Sequence, residues 1–265
     1  MSTLSLHDQA AGLRQMFAGA CARFVPLVSN PHVSCGGVLL ERLSTAFAER
    51  GARVLVVDAG ERAGSAGEMA MIELAQCVER LTPQVAYLAA RGLAIRFVDT
   101  GGSTRAFLER AAEAAPGCDV VMIHAPANEL CRMFAHGRHG DAAISGADMP
   151  CPIVIADDRP PSVTHAYASM KLLAQRAGLV VSELLLGAAP HSPRADRIAA
   201  KLAACADNFF AGVLRDWARV DPAGDPCDAP SEALRRIVAA RFENHAAVGT
   251  TARPAASRAD AWAAP

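Results

Sequence analysis

The sequence predicts an α/β protein, a three-layer α/β/α sandwich around a mostly parallel sheet. Short apolar runs alternate with segments of helical spacing along most of the 265 residues. Residues 24–58 hold a complete strand, loop, helix and strand, the pattern of a parallel βαβ unit. The run Asp119-Val120-Val121-Met122-Ile123-His124 is almost continuously apolar, as a central strand covered on both faces has to be.

In the first unit, Phe24-Val25-Pro26-Leu27-Val28 and Val54-Leu55-Val56-Val57 are the strands, and Asp58 closes the second. Between them Leu39, Leu40, Leu43, Ala46 and Phe47 recur on one helical face, with Glu41, Arg42, Glu49 and Arg50 on the opposite, solvent-facing one. Gly51 follows as a left-handed stop. The loop before this helix contains Gly36 and Gly37 and sits at the ligand end of the sheet, where free backbone N–H groups at a helix start usually hold phosphates. It has no lysine. Lys171 and Lys201 are the only lysines of the chain, so the compact ammonium that phosphate loops use is absent here.

After a Gly/Ser loop, the pattern predicts an apolar helix over residues 69–78 and a strand over residues 93–99. A turn at 100–103 leads to a helix over 104–115, stopped by Pro116 and Gly117. The strand ending at His124 brings that end beside the glycine-bearing loop of a doubly wound sheet. Then follow a strand at 151–156, a helix at 162–177, a strand at 180–186, a helix at 194–206 and a last strand at 210–214. A Pro/Asp/Gly connector spans 222–230, and Ser231 opens an amphipathic helix carrying Leu234, Ile237, Val238 and Phe242. That helix either docks on the core or lies on a membrane surface. The expected organisation is a leader at 1–23, an α/β domain at 24–221, the amphipathic helix at 231–246 and a disordered Ala/Pro/Arg tail at 247–265. In the leader, Asp8 can cap a helix in which Ala11, Leu13, Met16 and Phe17 cluster on one side.

Composition narrows the function classes. A net charge of -1 provides no field that would recruit nucleic acid, so no direct nucleic-acid partner is expected. The 8 cysteines include no CxxC pair, and no secretory segment opens the chain, so they read as reduced thiols of a cytoplasmic protein. Cys118, His124, Cys131, His136 and His139 fit no zinc spacing, and no metal site is expected. No apolar run reaches transmembrane length.

Two stretches carry a resemblance. His7-Asp8-Gln9-Ala10-Ala11-Gly12-Leu13-Arg14 resembles the DQAxGLR leader of FlhG (also called FleN), the MinD/ParA-like ATPase family that limits flagellar number. RPPSVTHAYASMKLL at 159–173 resembles that family's P-x-S-x-T-D-A-Y-A-x-I-K-L-L helix start, with His165 at the usual Asp. With GARVLVVDAG at 51–60, the similarity reaches across residues 7–220. The resemblance implies the MinD-like P-loop NTPase fold and, as partner, the signal-recognition-type GTPase FlhF, whose hydrolysis the leader stimulates. On that analogy Gln9 with Asp8 reaches the partner's active site, and Ala10, Gly12, Leu13 and Arg14 complete the docking motif. Other members bind a flagellar transcription activator or switch proteins, and reach the inner membrane through a C-terminal helix.

The family's loop reads S-G-K-G-G-V-G-K-T, which falls without gaps on Ser29-Asn30-Pro31-His32-Val33-Ser34-Cys35-Gly36-Gly37. Pro31 stands at the signature lysine, Gly36 at the P-loop lysine and Gly37 at the magnesium-binding threonine. Asp58 keeps the first acid of the D-x-D element, Gly60 replaces the second, and His124 replaces the acid closing the Walker-B-like strand. Without these groups nothing offsets the β/γ-phosphates or ligates Mg²⁺. The expectation is a non-hydrolysing protein with no cofactor. The alternatives are an ATP- and Mg-dependent switch, to which an arginine such as Arg62 supplies charge, and an antiactivator that sequesters the transcription activator.

Overall fold

The computed structural model describes residues 22–65, 67, 73–135 and 150–243. Eight strands form one sheet: β1 (Arg23–Val28), β2 (Val54–Asp58), β3 (Glu79–Arg80), β4 (Val85–Ala89), β5 (Val120–Ala125), β6 (Ile153–Asp157), β7 (Val181–Gly187) and β8 (Val213–Val220). Their order is β3-β4-β2-β5-β1-β6-β7-β8. Only the short β3 runs antiparallel to its neighbour. Among the described residues six α-helices cover the sheet: α1 (Gly36–Glu49), α2 (Arg105–Ala114), α3 (Ala127–Phe134), α4 (Pro160–Ala177), α5 (Pro193–Phe210) and α6 (Glu232–Glu243).

The period-two alternation of strands sorts side chains into two cores. Leu55, Val57, Val121 and Ile123 join the core under α2, α3, α4 and α5. Val54, Val56, Val120 and Met122 join the one under α1 and α6. The three-layer sandwich is therefore the observed architecture. Val120, Val121, Met122 and Ile123 are each 0% exposed, and burial of such side chains contributes up to about 1.5–3 kcal/mol apiece. The same alternation continues to the strand ends and turns Asp58 and His124 toward the α1 side.

In α1, Leu39, Leu40, Leu43, Ala46 and Phe47 are buried as the pattern predicts, and Gly51 stops the helix at φ +78°. Arg42, expected to face solvent, is buried instead. Its guanidinium donates to the carbonyls of Pro226 (3.0 Å), Asp228 (3.2 Å) and Asp225. The connector at 222–230 folds over the flank of α1, and its carbonyls need a donor there.

Three expected elements differ. The strand is β4 rather than residues 93–99, because Val85–Ala89 is the segment that pairs with β2 in register. Ala94–Phe97 is a 3₁₀ turn whose Phe97 ring packs 5.6 Å from Phe107, so its apolar residues serve packing rather than pairing. Of the helix expected over 69–78, Leu74–Cys77 is one 3₁₀ turn, and residues 69–72 lie outside the described ones. Phe210 ends α5, packed 5.9 Å from Tyr167, and the last strand runs over Val213–Val220. Arg215, Asp216 and Arg219 in that edge strand hid its apolar signal.

The apolar face of α6 is covered. Leu234, Ile237 and Val238 are buried against the α1 core. Phe242 packs 6.1 Å from Phe47, with the Arg23 and Arg50 guanidiniums 4.8 Å and 5.5 Å from its ring centre. Arg241 pairs with the fully buried Glu183, which Arg215 also meets at 2.5 Å. This corrects the membrane-helix alternative: the residues it needs at a lipid surface are spent on the core. Residues 1–21 and 244–265 lie outside the described residues, and with them the leader and tail expectations.

Candidate functional site

The C-terminal ends of β1, β2, β5 and β6 converge beside the loop at residues 29–35, the crevice where doubly wound sheets place ligands. Ser29, Pro31, Cys35, Gly36, Gly37, Asp58 and His124 all lie at this end of the sheet. Ser29 is buried and donates its hydroxyl to Glu61 (2.8 Å). Asn30 is buried too, and its amide nitrogen donates to the Ile155 carbonyl (2.9 Å), the Ser162 carbonyl (3.0 Å) and the Ser162 hydroxyl (3.2 Å). These bonds pin the loop to β6 and the first turn of α4.

A phosphate loop works by turning successive N–H groups inward. Here several of those donors have internal partners. Pro31 has no N–H. The His32 N–H donates to Asn30 Oδ1 (3.1 Å), and the Val33 N–H to the Asn30 carbonyl (3.1 Å). The carbonyls face arginines instead: Arg62 donates to Pro31 O (2.8 Å) and Val33 O (2.9 Å), and Arg159 to His32 O. Arg159 is also ion-paired with Asp157 at 2.6 Å. Both guanidiniums at the loop are thus engaged by the protein itself.

Cys35 occupies the N-cap position of α1 and makes no side-chain cap bond. Burial, then the charge of Asp157, pushes its thiol up, which keeps it protonated and unreactive at neutral pH. At Gly36 and Gly37 an added Cβ would meet nothing within 4 Å. Crowding at the Cβ position therefore does not require glycine at either place.

At the ends of β2, β4 and β5, Asp58 accepts from three sides. His124 Nδ1 lies 2.7 Å from Oδ1, the Gly60 N–H 3.0 Å from Oδ1 and the Tyr87 hydroxyl 3.2 Å from Oδ2. Burial alone would raise the Asp58 carboxyl; the hydrogen bond and charge of His124, helped by Gly60 and Tyr87, outweigh it and hold it below the ordinary value. Burial and the Asp58 charge push Tyr87 up to about 12, so it stays a donor. An acid and an imidazole locked together make a poor magnesium cage, because the carboxylate is already satisfied and the imidazole brings no negative charge.

Glu129, in the first turn of α3, has one carboxyl oxygen buried with no hydrogen-bond partner. Burial, then the charge of Glu61, raises its carboxyl. Beside the loop, His32, Pro160, Pro161, Thr164, His165 and Ala168 line an open groove of about 570 Å³. A second cavity of about 330 Å³, lined by Gly51, Arg53, Pro83, Gln84 and Asp119, lies at the opposite end of the sheet. Glu61, Tyr87 and Glu129 carry no sequence signal, since each acquires its role from neighbours distant in the chain, whereas Arg159 and Ser162 fall within the helix-start stretch quoted above. Asp8, Gln9, Ala10, Gly12, Leu13 and Arg14 lie outside the described residues, as do His136 and His139. Among the described residues no group of three His, Cys, Asp or Glu side chains is placed to hold a metal ion.

No protein-family model and no curated protein matches the chain. Solved structures do. The MinD cell division protein of Aquifex aeolicus superposes with a TM-score of 0.52 at 12% identity, covering 84% of this chain and 97% of that one. Cobyrinic acid a,c-diamide synthase from Mycobacterium smegmatis superposes with a TM-score of 0.52 at 14% identity, covering 84% of this chain and 94% of that one. That enzyme has also been solved with a bound ATP analog and magnesium. At such identities the likeness establishes architecture, and with the sheet order and the loop position it gives this protein the MinD-like P-loop NTPase fold.

Proposed function

We propose that this protein is a MinD-fold regulator that does not hydrolyse nucleotide and acts through protein contacts, its DQAxGLR leader stimulating the GTPase FlhF in control of flagellar number or placement. The observation that carries the reading is the loop at 29–35. The His32 and Val33 N–H donors and the Asn30, Pro31, His32 and Val33 carbonyls are satisfied within the protein, and the loop has no ammonium to meet a triphosphate. The leader residues Asp8, Gln9, Leu13 and Arg14 support the choice of partner by resemblance. Further partners on the same analogy are a flagellar transcription activator and switch proteins, met in the cytoplasm. Among the described residues no helix is long and apolar enough to cross a membrane.

The test has two arms. A peptide of residues 1–23 and the full chain are each added to FlhF, and GTP hydrolysis is followed. Stimulation by both, lost with Gln9→Ala, is the expected result; no stimulation by either overturns the partner assignment. Calorimetry of the full chain with an ATP analogue and Mg²⁺ should give no heat of binding. Micromolar affinity would instead favour the ATP-switch reading, with Arg62 as the cation at the loop.

A further inference from the structure

Neither His32 nor His165 stands where the resembling family has a histidine, and neither takes part in the function proposed above. The fold nevertheless brings them together. His32 sits in the loop after β1 and His165 in the second turn of α4. Their ring centres lie 5.7 Å apart at the rim of the 570 Å³ groove. Two imidazoles sharing one ion through metal–nitrogen bonds of about 2.1 Å bring their ring centres to roughly 5–6 Å.

Both residues are held from behind. His165 is held within α4. The backbone of His32 is fixed on both sides, its N–H on Asn30 and its carbonyl on Arg159. Its ring is exposed and turns about its own side-chain bonds without disturbing the loop.

Negative charge stands nearby. Glu61, fixed by Ser29, acts on His165 and also on Glu129, whose buried oxygen lacks a partner.

We propose that His32 and His165 form a two-imidazole site for a divalent transition ion of the zinc class, which staples the β1–α1 loop to α4. The remaining coordination positions take water or an external ligand from the groove. Imidazole nitrogen favours zinc, nickel and copper over magnesium and calcium, so the site is distinct from a phosphate-linked magnesium.

The test is a calorimetric titration of the metal-free full chain with Zn²⁺ in the presence of a reductant. The expected result is saturable one-to-one binding at micromolar zinc, weakened at least about tenfold by His32→Ala and by His165→Gln. The His136→Ala/His139→Ala double variant should bind as the parent does, and Co²⁺ substitution should give no thiolate charge-transfer band. Circular dichroism of each variant checks that it is folded. Absence of zinc binding, binding that survives either single substitution, loss in the 136/139 double variant, or a cobalt–thiolate band each overturns the proposal.

Discussion

The His124 ring, 2.7 Å from Asp58 through Nδ1, fills the space that any side chain at position 60 would need. A Cβ on Gly60 would lie 2.7 Å from His124 Cε1 and 3.0 Å from Nδ1. The imidazole at position 124 therefore fits only with glycine at position 60.

Gly60→Ala should push the ring off Asp58 and destabilise the fold by about 1–3 kcal/mol, the usual range for overpacking. In a His124→Ala background the same change should cost much less. Urea unfolding of the two single variants and the double variant measures the coupling, expected at about 1 kcal/mol or more.

The two perturbed carboxyls make opposite pH signatures. Asp58 is held below its unfolded value, so it contributes stability that is present above the unfolded carboxylate pKa of about 4 and lost as pH falls through the folded one. Asp58→Asn should destabilise at neutral pH and lose that effect in acid. Glu129 is held above its unfolded value, so its ionisation costs stability as pH rises through the folded pKa. Glu129→Gln should stabilise at neutral pH, by less than about 1 kcal/mol given solvent screening of a partly exposed group, and be neutral in acid. Denaturant midpoints across the pH range read both.

Space around Gly36 and Gly37 makes a restoration experiment feasible. Gly36→Lys/Gly37→Thr should fold with stability within about 1 kcal/mol of the parent, the gain from replacing glycine offsetting the cost of a cation at a helix N-terminus. Nucleotide binding should not return, because Asn30 still consumes the His32 and Val33 donors. Calorimetry with ATP and Mg²⁺ reads the outcome.

Arg241 ties α6 to the buried Glu183. Arg241→Ala leaves that carboxylate with Arg215 as its one remaining ion-pair partner among the described residues, and should cost about 3 kcal/mol. Hydrogen exchange in α6 should rise before the rest of the sheet opens, which distinguishes a lost lock from general destabilisation.

Periodicity was enough to read β1, α1, β2 and β5, since each buries a repeating pattern set by its own geometry. It misplaced β4 because both Val85–Ala89 and the residues after Gly92 are apolar, and only pairing with β2 chooses between them. It misread Arg42 because the connector that covers that flank joins the chain more than 180 residues later, at separations of 183 to 186. That the loop carries no lysine was legible in the sequence; the contacts that fill the crevice were not.

The amino-acid order alone determined the layered α/β architecture, the position of the glycine-bearing loop and the absence of lysine from it, because alternation and composition are local properties. Only the packed chain decided that Asn30 would close the loop, that Gly60 would make room for His124, and that His32 would face His165. Those contacts join Asn30 to Ser162, Gly60 to His124 and His32 to His165, which are 132, 64 and 133 positions apart, through hydrogen bonds and steric fits rather than any local repeat.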